Sequence, residues 1–158
     1  MKNSVLFVLL VFFSISNAIA CTCVFEKQSL HKKVKIAYAT SKVVFTGNVI
    51  AKKNIPDQTD NHLKLDLIRY TFEVINPFKN TEGNETIDVI SLADGGMCGY
   101  TFVVGKTYLV YARTSESYSD HSEIKTSYTT GLCDRNNTIR NVNKRELRKL
   151  RYLKKRKQ

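Results

Sequence analysis

Two cysteines one residue apart, Cys21 and Cys23, stand directly behind a stretch laid out like an export leader, and that junction constrains this chain more than any other feature. Lys2 supplies a positive start, Val5 to Phe13 is an unbroken apolar run, and Ala18-Ile19-Ala20 has the small-x-small form of a cleavage site. Nine apolar residues span only about 14 Å as a helix, against a hydrocarbon core of ~30 Å, so the run is a leader rather than a membrane span. Residues 1–20 are therefore expected to be a signal peptide, and cleavage leaves 138 residues beginning with Cys21. The product is expected to be secreted, or periplasmic or cell-surface in a bacterium, with no transmembrane segment. Ala18-Ile19-Ala20-Cys21 also resembles a degenerate lipobox. Lipid anchoring at Cys21 is the minority alternative, because Ala18 stands where Leu or Val is usual.

All four cysteines (Cys21, Cys23, Cys98 and Cys133) fall in the exported part, where disulfides form and persist. In an extended segment Cys21 and Cys23 project from the same side, and a bridge between them would close a small strained ring. Each is expected to pair with a distant partner, Cys98 or Cys133. One C-x-C with two scattered cysteines lacks the paired C-x-x-C spacing of a structural zinc site. Two long-range disulfides are thus expected, each contributing about 4 to 5 kcal/mol in the chain-entropy model.

The formal net charge of +11 is unevenly spread. Residues 144–157 carry nine Lys or Arg against Glu146 alone, whereas residues 21–143 carry fifteen basic and thirteen acidic residues. Ser29 can cap a helix to about Tyr38. Val43 to Ala51 reads as a strand. From Leu63 to Val74 the apolar alternation moves from odd positions (Leu63, Leu65, Leu67) to even ones (Ile68, Tyr70, Phe72, Val74), the pattern of a β-bulge. Asn76-Pro77 should end that strand. Thr86 to Ser91 is a short strand, Asp94-Gly95-Gly96 a turn, and Tyr100 to Val103 and Thr107 to Arg113 flank Val104-Gly105-Lys106 like a hairpin. Glu123 to Thr130 is a further strand. Asn143 with Glu146 has the form of a capping box opening a helix that carries Leu147, Leu150 and Leu153. The whole reads as all-β with flanking helices, five or six short strands curling into a small closed barrel over residues 21–142, followed by a basic helix or tail at 143–158.

Catalytic constellations are scarce. His31, His62 and His121 all lie in polar surroundings, and no nucleophile elbow, H-E-x-x-H, P-loop or dinucleotide glycine pattern is present. The chain is expected not to be an enzyme and to need no cofactor of its own. What stands out is Cys21. As a mature first residue it carries a free α-amine, ordinarily titrating near 7.7 to 8.0, and that amine and the Cys21 carbonyl can chelate a metal.

Cys21-Thr22-Cys23-Val24 at a mature N-terminus resembles the start of the tissue inhibitors of metalloproteinases. The resemblance covers about 110 of the 138 residues. A helix follows the C-x-C, and Val43 to Val49 is similar to the family's first strand. Tyr70 to Lys79 is similar to the next, ending near Phe78-Lys79. Met97-Cys98-Gly99-Tyr100 resembles the C-G-[YV] segment, Thr107 to Ala112 the strand that follows it, and Thr130-Gly131-Leu132-Cys133 a later strand-end cysteine. The resemblance implies a netrin-like, OB-type barrel with Cys21–Cys98 and Cys23–Cys133 disulfides. It implies that the Cys21 amine and carbonyl chelate the catalytic zinc of a secreted metalloproteinase and displace its attacking water. Thr22 would enter the primed-side pocket, Cys23 and Val24 would contact the target beside it, and Gly96 and Met97 would line the unprimed side. The family's third disulfide has no counterpart here, and the cysteine-rich second domain of animal members is replaced by the basic helix.

Netrin-like modules also serve as adhesion or matrix-binding domains, so the alternative function is a module that binds a partner protein or polyanion through the barrel surface or the tail from Lys144 to Lys157. Nucleic acid is not an expected partner, since the chain is exported and its body is nearly neutral, and a monomer is expected. Asn84 and Asn136 begin sequons, meaningful only in a glycosylating host.

Overall fold

The computed structural model describes residues 23, 27–55, 66–93, 98–114 and 128–156. The leader (1–20), Cys21, Thr22, Val24, Gly96, Met97, the glycine turn at 94–96 and the residues preceding Tyr128 in the strand expected from Glu123 lie outside them.

Helix α1 (Leu30–Thr40) begins where the sequence places it, since Ser29 is extended and its side chain accepts from the Lys32 N–H. Its far end is closed by tertiary structure. Lys79, buried at the end of a strand, donates from Nζ to the carbonyls of Tyr38 (2.7 Å), Ala39 (3.2 Å) and Ser41. The cation thus meets the negative end of the helix and satisfies carbonyls that the last turn leaves open.

The strands are β1 (Val43–Ile55), β2 (Leu67–Lys79), β3 (Thr86–Leu92), β4 (Thr107–Thr114), β5 (Tyr128–Thr129) and β6 (Asn137–Thr138). β1 pairs with β2 on one edge and, over Val43–Asn48, with β4 on the other. β2 pairs with β3, β3 runs parallel to β5, and β5 returns antiparallel to β4. The pairings close a ring through five strands, and β6 adds to β4 outside it.

The ring encloses an aromatic core in which Phe102 meets Tyr70 at 5.1 Å, Phe72 and Tyr108 at 5.0 Å and Tyr100 at 4.6 Å between ring centroids. A second cluster lies outside the ring. There Val44, Leu109 and Tyr111 point away from the aromatic core and pack under Val34 and Tyr38 of α1 and Leu150 of α2 (Lys144–Lys155). A third joins Ile55, Leu67 and Ile90.

Three expectations about the strands are corrected. The odd-to-even switch at Leu67-Ile68 is not a bulge, because the register runs evenly through Ile55↔Leu67 and Asn54↔Ile68. Both residues are buried, Ile68 inside the ring and Leu67 in the third cluster, so two-sided burial mimics a phase slip. The register shifts fall instead at separate points along the pair, at Ile50 on β1 and at Ile75 and Phe78 on β2. Gly47 sits among them, and a Cβ there would stand 2.8 Å from the Glu73 carbonyl, so the strands approach closely only because it has none. Second, β2 does not end at Asn76-Pro77 but runs on to Lys79. Proline is tolerated at position 77 because it lies between two register shifts. Third, residues 100–103 are not a strand. They carry Tyr100 and Phe102 into the core before a turn at Val104-Gly105, where Gly105 has φ +81° and its N–H bonds the Val49 carbonyl.

Asn143 caps α2 through a 2.8 Å bond from the Arg145 N–H. Glu146 does not complete the capping box, because its carboxylate turns inward to the body of the protein.

Candidate functional site

The cysteines mark one edge of the ring. Cys23 is bonded to Cys133 across 110 residues with a Cα separation of 5.3 Å. Cys98 is also disulfide-bonded. Its main chain is fixed to the Cys133 loop, where the Cys98 carbonyl accepts from the Leu132 N–H at 2.7 Å. The approach is tight enough to require glycine at 131, since a Cβ there would lie 2.8 Å from the same carbonyl oxygen. Cys98 itself has φ +68°, a left-handed conformation that a non-glycine residue holds only when its surroundings enforce it. Two residues on, the Tyr100 N–H donates to the buried Ser91 hydroxyl at 2.7 Å and ties this segment to β3.

The Cys133 loop is braced from beneath. Asp134 accepts from the Gly131 N–H (2.8 Å) and from the Arg113 guanidinium (2.7 Å). Asn136 is buried; its Oδ1 accepts from the Tyr111 N–H (2.9 Å) and its Nδ2 donates to Thr130 Oγ1 (2.7 Å), while the Thr130 hydroxyl donates to the Tyr111 carbonyl (2.8 Å). Below these, the Tyr111 hydroxyl donates to Glu146 Oε1 (2.8 Å), and Arg135 grips both Glu146 oxygens at 3.0 and 2.7 Å. Burial, then the Glu146 charge, pushes the Tyr111 phenol far above its ordinary value and keeps it a donor. The Glu146 hydrogen bonds likewise raise the pKa of Arg135. One continuous network therefore joins α2 to β4 and to the loop that holds Cys133. Beside the disulfide lies an open cleft of about 480 Å³, lined in part by Lys33, Tyr111, Arg113 and Arg135.

Of the residues assigned to the site from sequence, the described structure places Cys23, Cys98 and Cys133 together on this edge. Cys21, Thr22, Val24, Gly96 and Met97 lie outside the described residues. Among the described residues no three His, Cys, Asp or Glu side chains converge as a metal site.

Sequence reasoning missed Arg113, Asp134, Asn136 and the Tyr111–Glu146–Arg135 cluster. Asn136 carried a signal that pointed elsewhere, as a sequon. In the fold its amide is fully engaged, whereas Asn84 is exposed in a turn. No protein-family model matches the chain, and no curated protein does either.

Proposed function

We propose that this protein is a secreted inhibitor of zinc metalloproteinases, with Cys21 as the zinc-chelating residue. The observation that carries the reading is the fastening of Cys23. A segment two residues from the expected mature N-terminus is covalently fixed to a loop that is itself held by Asp134, Asn136 and the Cys98 carbonyl. Fastening Cys23 shortens the segment that binding must order to two residues, which lowers the ordering cost of entering a protease cleft. The strand order supports an OB-type, netrin-like barrel, since five strands close a ring and its one parallel pairing joins β3 to β5.

The chemistry follows from the amine. With Cys21 first in the chain, its α-amine and carbonyl oxygen occupy adjacent positions on the target's zinc and exclude the water that the protease activates. Only the deprotonated amine has a lone pair to give, so inhibition should weaken as pH falls below the amine pKa. Thr22 takes the adjoining primed-side pocket, with Cys23 and Val24 beside it, and Gly96 and Met97 cover the unprimed side. The Cys21–Cys98 bridge belongs to the same reading.

The test is one residue long. Adding an alanine before Cys21 leaves the network around Cys133 in place but converts the amine into an amide and crowds the zinc. Inhibition of a zinc metalloproteinase that the native protein inhibits should fall by at least about a hundredfold, on the scale of 1.4 kcal/mol per tenfold. Thr22→Gly should cost less, roughly 1 to 3 kcal/mol, because it empties a pocket without touching the metal. Equal inhibition by the extended and native proteins would exclude chelation.

A further inference from the structure

The two helices form one basic layer. α1 contains three lysines and no acidic residue, and α2 contains seven Lys or Arg with Glu146 alone. Since Glu146 is buried and bonded to Arg135 and Tyr111, it neutralises nothing on the outer surface. Between the helices lies an open groove of about 550 Å³ lined by His31, Arg145, Arg148, Lys149 and Tyr152. Among the described residues no carboxylate lines it, and no ion pair uses Arg145, Arg148 or Lys149. Tyr152 is 52% exposed, with Lys149 Nζ 4.9 Å and Arg156 Cζ 5.8 Å from its ring centroid, so its ring holds one cation that lines the groove and a second further along the chain.

We infer that this groove binds a sulfated polysaccharide. Charge complementarity selects a polyanion, and guanidinium groups suit the oxyanions of a sulfate because their paired N–H donors match two oxygens at once. The cations at 145 and 148–149 stand one helical turn apart, roughly 5 Å, and those at 155–156 two turns further on with Tyr152 between, so a linear chain lying along α2 meets cations on both sides of that ring. A bilayer surface fits less well. Leu147, Leu150 and Leu153 pack against the core, and the helix has no apolar side left to insert between lipids. Single-stranded nucleic acid also fits less well, because among the described residues the groove offers one aromatic ring, already under two cations, rather than a row of stacking platforms. This inference is independent of the inhibitor reading, since the groove is built from α1 and α2 and includes none of the cysteines.

The experiment uses the full exported chain on immobilised heparin, with salt titration. Binding should weaken steeply as salt rises. Arg145→Gln, Arg148→Gln and Lys149→Gln together should lower affinity at least tenfold and reduce the logarithmic salt slope by about 2 to 3. A control with the same charge change on exposed residues away from the helices (Lys52→Gln, Lys53→Gln and Lys106→Gln) should change affinity less than threefold. Arg148→Gln alone, one exposed side chain, keeps the test open should the triple variant not fold; it should lower affinity about two- to fivefold. Undiminished binding by the helix variants, or an equal loss in the control, overturns the site. Equal or tighter binding to desulfated heparin, phosphatidylglycerol vesicles or an oligothymidylate overturns the assignment to a sulfated polysaccharide.

Discussion

The two faces of β4 are both buried, but by different chemistry. Tyr108, Val110 and Ala112 enter the ring, where aromatic and aliphatic side chains fill space around Phe102. Leu109 and Tyr111 face the helices, where an apolar layer is joined to one buried charge cluster, Tyr111–Glu146–Arg135. The ring interior is held chiefly by shape, and its Tyr108 hydroxyl accepts one backbone hydrogen bond from the Val103 N–H at 3.1 Å. The helix layer is held by shape and by a hydrogen-bonded carboxylate, and its outer surface is left free to concentrate positive charge. The lesson is that the basic helix is part of the fold. Its Leu150 is as deeply buried as the core of the ring, while its exposed side carries the cations.

That contrast can be broken most forcefully from the inside. Phe102→Ala should destabilise the protein by about 4 kcal/mol in denaturant titration, since it removes a fully enclosed ring and leaves four aromatic neighbours facing a cavity. A loss below about 1 kcal/mol would mean that the ring collapses without its hub. On the helix side, Glu146→Ala should cost about 2 to 3 kcal/mol, just below the buried-pair range of about 3 to 5, because Arg135 keeps 28% of its side chain exposed. The variant should also loosen the Cys133 loop, read as faster amide exchange at Gly131 and Leu132, through the shared contacts of β4.

A smaller change separates the hydrogen bond from the apolar packing. Tyr111→Phe keeps the ring and removes the hydroxyl, so it should cost about 1 kcal/mol at neutral pH. Because burial and Glu146 raise the folded-state phenol pKa, the Tyr111 contribution is complete below the ordinary value near 10 and is lost as pH rises above it. The native protein should therefore lose stability more steeply than Tyr111→Phe between about pH 10 and 11.5. Parallel stability curves would exclude that coupling. Smallest of all, Arg148→Gln with Lys149→Gln should leave stability within about 0.5 kcal/mol, measured by the same titration, because both side chains lie on the outer side of the layer. A larger loss would make those cations structural and blur the difference between the two faces.

How much was legible in the residues depends on the distance over which each feature is decided. Helix starts at Ser29 and Asn143 are local, since a short polar side chain bonds an N–H two or three residues ahead, and both appear where the sequence puts them. The strands at Val43, Thr86 and Thr107 were readable because β-branched and aromatic runs favour extended chain. The Leu67-Ile68 switch was misread because residue types report burial but not which of two cores buries them. In the candidate site, the cysteines were visible by type and spacing. Asp134, Asn136 and Arg113 were not, since each acts on a partner fixed only when β4 and the 130–136 loop come together.

The sequence by itself determined the local and the additive: where helices begin, which stretches extend, and that positive charge gathers near the end of the chain. Tertiary structure decided the side-chain partners, and for Cys23 it chose between the two that spacing left open, taking the one the resemblance implied. Cys23 finds Cys133 across 110 residues, Lys79 reaches back to the end of α1, and Glu146 leaves the cap of its own helix for Tyr111 and Arg135. The physical reason is that a propensity acts within a few residues along the chain. A buried polar group instead takes whichever partner the closed ring brings within hydrogen-bonding distance, because leaving it without one costs more than any local preference can return.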